Sequence, residues 1–141
     1  MHNVFVYGTL KRGFPNHVPE LANADYIGRA RTLTAYPLII GGKWFSPNLI
    51  DEPGMGQRVT GELFRVGDEV LTLLDRMEGT RISNGYRRIN IVVEILTTSN
   101  AFDAWTYAKD RDLIDGVHSD PIGEYKLDPR YVVPSKRTSM F

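Results

Sequence analysis

The sequence predicts an α+β fold: a small mixed β-barrel or strongly curved sheet with a few short helices. Two observations predict it. Short runs of β-branched and aromatic residues alternate with Gly- and Pro-containing turns, and a single segment shows sustained helical periodicity. The chain has 141 residues, 42% of them hydrophobic, which suits one domain over residues 1–141 large enough to bury a core.

The elements follow in order. Val4-Phe5-Val6-Tyr7 is an uninterrupted apolar run and reads as a strand covered on both faces. It runs into Gly8-Thr9-Leu10, a tight loop. Lys11 to Glu20 is polar and broken by Gly13, Pro15 and Pro19, with a helical turn expected over His17 to Leu21. Tyr26 to Thr34 fits a strand carrying Arg29 and Arg31 on one face. Leu38-Ile39-Ile40, the Gly41-Gly42 hairpin signal, and Asn48-Leu49-Ile50 form the next group, closed by the turn Asp51-Glu52-Pro53-Gly54. Gln57 to Val66 is extended, and Gly61 within it marks a bulge or a close approach by another group.

Asp68 is the expected N-cap of the one clear helix, Asp68 to Glu78, in which Val70, Leu71, Leu73, Leu74 and Met77 recur at helical spacing. Gly79 supplies the stop. Tyr86 to Leu96 alternates as a long strand, Thr97 to Asn100 turns, and Ala101 to Tyr107 pairs back. The tail from Asp110 is rich in Asp, Gly and Pro. It is expected to drape over the domain, with a short extended piece at Tyr131-Val132-Val133.

Composition narrows the function classes. Lys plus Arg and Asp plus Glu are equal at 17 each, so no net field favours nucleic acid or an anionic membrane. No apolar run approaches the roughly 20 residues that span a bilayer, and no secretory signal is visible. There are no cysteines, hence no disulfide, thiolate nucleophile or Cys-bound metal. His2, His17 and His118 lack metal-ligand spacing. The expectation is a cytoplasmic, metal-free, cofactor-free protein, monomeric or weakly dimeric, that acts on a small molecule.

Two stretches carry candidate chemistry. After Gly8, successive backbone N–H groups of Thr9 and Leu10 can form a nest for a carboxylate or phosphate. Glu78 lies four residues after Leu74 and seven after Leu71, on their inward face and in the last helical turn. Desolvation and the helix dipole both disfavour its ionised form there and raise its pKa, as suits a general base near neutrality. The competing arrangement is a frayed last turn in which Glu78 reaches water or pairs with Arg76, Arg81 or Arg88. A substrate with an α-amino acid head would use both parts: its carboxylate in the nest, its ammonium at Glu78. The freed amine could then attack a carbonyl of its own molecule, with nest N–H groups also available to a developing oxyanion.

The run Val4-Phe5-Val6-Tyr7-Gly8-Thr9-Leu10-Lys11-Arg12-Gly13, with Pro15-Asn16-His17 behind it, resembles the γ-glutamylcyclotransferase-like superfamily, most closely its γ-glutamylamine cyclotransferase branch. The likeness continues through Tyr36-Pro37-Leu38-Ile39-Ile40, Arg58-Val59-x-Gly61-Glu62, Leu73-Leu74-Asp75-x-Met77-Glu78-Gly79 and Tyr86-x-Arg88. It implies a small β-barrel and cyclisation of a γ-glutamyl group to 5-oxoproline with release of an amine or amino acid. By position, Glu78 matches the acid/base residue, and Tyr7, Gly8, Thr9 and Leu10 match the loop that binds the γ-glutamyl head. Tyr107 falls where an aromatic lines the cavity. Tyr86 and Tyr125 are further lining candidates, and each fits a core or rim aromatic equally well. The tail after Tyr107 departs from that branch. Two alternatives stand beside the enzyme: a non-catalytic small-metabolite-binding module of the same fold, and an interaction surface formed by Trp44, Phe45 and Trp105.

Overall fold

A computed structural model describes residues 1–138. The chain forms β1 (His2–Val6), α1 (Pro19–Ala22), β2 (Asp25–Thr32), β3 (Leu38–Gly41), β4 (Ser46–Leu49), β5 (Thr60–Val66), α2 (Asp68–Glu78), β6 (Arg87–Ile95) and β7 (Ala101–Ala108). Five strands close into a barrel in the order β1-β5-β2-β6-β7, and β3 and β4 make a separate hairpin. Barrel neighbours are antiparallel except where β1 meets β7, a parallel contact at Val4 opposite Trp105. The α+β reading with a small barrel and short helices thus describes the structure.

The apolar run of β1 is covered on both sides, as its pattern requires. Phe5 and Tyr7 join Ala30, Leu63, Val93 and Ala104 in one core. Val4 and Val6 face the other way and pack with Phe64, Val66, Leu71 and Leu74 beneath α2. Gly61 is a site of close approach: a side chain there would collide with the Val6 carbonyl oxygen and come within 2.9 Å of the Phe5 ring. The irregularity in the pairing lies instead in β2, between Tyr26 and Gly28.

Some local expectations are corrected. The N-cap of α2 is Gly67 rather than Asp68, and no side chain caps it. Asp68 sits in the first turn, where its carboxylate meets His2 Nε2 at 2.5 Å; this hydrogen bond competes with the capping role. Trp44, Phe45 and Trp105 form no common patch. Trp105 packs beside α2 under the Arg88 guanidinium, Phe45 packs on the barrel core, and Trp44 faces Arg137. Residues 131–133 run without joining a sheet, held to the hairpin by the Val132 N–H donating to Trp44 O (3.0 Å). No helix among the described residues is long and apolar enough to cross a membrane.

Candidate active site

The C-terminus of α2 is closed by a double hydrogen-bonded turn. Gly79 adopts φ 68°, its N–H donates to Arg76 O, and Thr80 N–H donates to Asp75 O, both at 3.1 Å. These bonds occupy carbonyls that a helix end otherwise leaves open. Glu78 is therefore the last residue of a helix that ends in an ordered turn, and its own carbonyl accepts from Tyr86 N–H at 3.1 Å. A frayed end is excluded. The expected ion-pair partners are elsewhere too: Arg88 bonds Asp75 at 2.9 Å, while Arg76 and Arg81 are exposed.

The Glu78 side chain is half-buried and opens on a cavity of about 380 Å³, within the range of small-molecule sites. Removal from bulk water pushes its carboxyl pKa up to about 7, against a smaller opposing pull from the charges of Lys109 and Arg137. The raised value fixes the sign of a stability effect. The unfolded carboxyl titrates near 4.5, so stability is full below that pH and is lost as pH rises towards 7. Glu78→Gln should therefore be more stable than wild type at pH 8, by about 3 kcal/mol at most. The difference should vanish near pH 4.5; paired thermal melts at both pH values measure it.

The loop after β1 lines the same cavity. Its carbonyls are tied back into the protein: Gly8 O accepts from Lys11 N–H (3.1 Å), Thr9 O from Asn16 N–H (2.9 Å), and Leu10 O from the His17 Nδ1 position (2.8 Å). Because Leu10 O can only accept, His17 carries its proton on Nδ1. Among the described residues no protein acceptor takes the Thr9 or Leu10 N–H. Gly8 serves this loop through its lack of a side chain rather than through its backbone angles. It has no positive φ; rather, a side chain there would press to 2.7 Å against Pro47, which packs in from the β3–β4 hairpin.

Tyr7, Tyr86 and Tyr107 all line the cavity, but their hydroxyls are engaged. Tyr7 donates to Tyr107 O (2.7 Å) and accepts from Leu49 N–H (3.3 Å). Tyr86 donates to Asn48 Oδ1 (2.8 Å), and Tyr107 to Asp75 Oδ1 (2.8 Å). Burial raises all three phenols above their ordinary range, so they stay neutral and contribute aromatic walls. This leaves Glu78 as the lining group poised to exchange a proton near neutral pH.

The residues matched by the family description "Gamma-glutamyl cyclotransferase, AIG2-like" are 4–127, most of the chain. The chain belongs to that family. Its relatives include gamma-glutamylaminecyclotransferase of Bos taurus, 36% identical over 126 residues, covering 86% of this chain and 74% of the relative. Gamma-glutamylaminecyclotransferase C of Danio rerio is 43% identical over 100 residues, which cover 67% of this chain and 64% of the relative. The match thus spans just under two thirds of that fish protein. The crystal structure of an AIG2-like protein from Mus musculus superposes with a TM-score of 0.80 at 29% identity, over 97% of this chain and 99% of that one.

The structure thus brings Tyr7, Gly8, Thr9, Leu10, Glu78, Tyr86 and Tyr107 to one cavity and leaves Tyr125 out. Tyr125 is fully buried in the barrel core against Phe14, and its backbone carbonyl accepts from Lys11 Nζ at 2.7 Å. The lining residues that sequence reasoning did not name for the site include Asn16, Pro47, Tyr131 and Arg137. Asn16 was within reach, since it stands in the quoted Pro-Asn-His run. The other three come from a hairpin and a tail with no periodic pattern to place them.

Proposed function

We propose that this family member cyclises a γ-glutamyl group to 5-oxoproline and releases the attached amine or amino acid, with Glu78 as general acid/base. One observation supports the reading: Glu78, Thr9 and Leu10 line the same cavity, and among the described residues no protein acceptor takes the Thr9 or Leu10 N–H. The substrate carboxylate sits on those N–H groups, and its α-ammonium meets Glu78. Glu78 takes one proton from the ammonium. The resulting amine nitrogen bonds to the γ-carbonyl carbon, giving a five-membered tetrahedral intermediate. The bond from that carbon to the outgoing nitrogen then breaks as Glu78 returns the proton to this nitrogen, and the again-ionised Glu78 passes the ring nitrogen's second proton to the released amine, leaving the neutral lactam and an ammonium. Holding head and carbonyl in one hollow supplies the entropic advantage of an intramolecular reaction. Every proton and electron pair is accounted for by substrate and one carboxyl group. The names of the relatives point the same way.

The reading carries with it a cytoplasmic, single-domain protein acting on a small molecule. Its test is a screen of γ-glutamyl-amines, γ-glutamyl amino acids and glutathione, with 5-oxoproline quantified by mass. Stoichiometric 5-oxoproline and amine from at least one class is the expected result. Thermal stabilisation by such compounds with no product would make the protein a binding module instead.

A further inference from the structure

Arg137 approaches the cavity from the C-terminal tail, beyond the stretch that matches the family. Its guanidinium is held in place: Nε donates to Val132 O (3.0 Å) and Nη2 to Tyr131 Oη (3.3 Å), with the Trp44 and Tyr131 rings each 5.7 Å away. Tyr131 Oη also accepts from Asn16 Nδ2 (2.9 Å), which donates to Thr9 Oγ1 (2.8 Å). A string of three hydrogen bonds thus fixes Arg137 relative to the loop proposed to hold the glutamyl head.

Arg12, Arg29, Arg31, Arg58, Arg87, Arg88, Arg111 and Arg130 each meet a carboxylate. Arg137 meets none among the described residues, although it is the arginine that lines this cavity. A guanidinium has five N–H donors, and the contacts above use two, one on Nε and one on Nη2. The rest form a fork that suits a carboxylate held through two parallel bonds. The glutamyl carboxylate is already provided for at Thr9 and Leu10, three hydrogen bonds away. The second half of the substrate extends from the glutamyl head within the cavity that Arg137 lines.

We infer that Arg137 determines specificity by binding a carboxylate on the departing amine, so that the preferred substrates are γ-glutamyl conjugates of amino acids rather than of simple alkylamines. This inference rests on the cyclotransferase reading and adds the class of leaving group. A Lys would not serve equally, because an ammonium lacks the planar fork.

The test uses γ-glutamyl conjugates of ω-amino acids, from glycine to 6-aminohexanoate, each beside its uncharged n-alkylamine counterpart. Wild type should favour the carboxylate member at the best chain length by roughly 10- to 100-fold in kcat/KM, the range of a charge-assisted hydrogen-bonded contact. Arg137→Gln should remove at least tenfold of that preference, read as the carboxylate-to-alkylamine ratio so that any change the lost charge makes at Glu78 cancels between the two series, and Arg137→Lys should restore it only in part. The alkylamine rates also report whether the variant is folded. No preference in wild type, an unchanged preference in Arg137→Gln, or equal loss on both series would overturn the inference and leave the cyclotransferase reading standing. Absence of 5-oxoproline from every conjugate would overturn both.

Discussion

Glu78→Gln should lower 5-oxoproline release by roughly 10²–10⁴-fold, the usual contribution of a positioned general base. Gln preserves the side-chain length and planarity, and the ordered turn at Gly79 keeps it aimed at the cavity. What disappears is the capacity to hold a proton between ammonium and departing amine. Substrate binding should fall less than kcat, because the Thr9 and Leu10 N–H groups are untouched. In wild type the rate should climb with pH as the carboxyl ionises around pH 7, and the variant should lose that rise. Steady-state kinetics across pH 5 to about 9 tests both points. A variant with full turnover, or with an unchanged pH profile, would exclude Glu78 as the base.

Gly61→Ala should destabilise the fold by about 3 kcal/mol, at the upper end of what overpacking costs. The added methyl would meet the Val6 carbonyl oxygen and the Phe5 ring, and both obstacles are awkward. The carbonyl belongs to the β1 backbone paired with β5, and Phe5 is fully buried. Neither can yield without separating the two strands. For a chain of this size the melting temperature should fall by roughly 10 °C. Because Val6 leads directly into the substrate loop, the variant's KM should rise before it unfolds. A melt within a degree or two of wild type would mean that β1 and β5 can move apart cheaply.

Much of this was readable from the sequence where local pattern and tertiary environment agree. The Val4–Tyr7 run, the alternation in Ile89, Ile91, Val93 and Ile95, and the spacing of Leu71, Leu74 and Glu78 each fixed an element and its buried face. Gly79 was legible because a helix stop needs a residue that accepts positive φ. Legibility failed where a distant residue decides the outcome. Asp68 looks like a cap until His2, 66 positions away, claims it. Gly8 suggests backbone angles closed to other residues, but its lack of a side chain answers to Pro47. Tyr125 looks like any cavity aromatic, yet Lys11 and Phe14 fasten it into the barrel. Arg137 gave no signal, because a single basic residue in an irregular tail acquires meaning only from the neighbours that folding gives it.

The parallel seam between the first and last barrel strands sets an order of events during synthesis. Val4 meets Trp105 across about a hundred positions, so the cylinder cannot shut until β7 has left the ribosome. Until then β1 has a pairing edge unsatisfied, and such an edge is open to other chains. Contacts this remote in sequence also slow the search for the native state. Expression at lower temperature, or with a chaperone that shields nascent strands, should therefore raise the yield of functional molecules more than it changes their final stability.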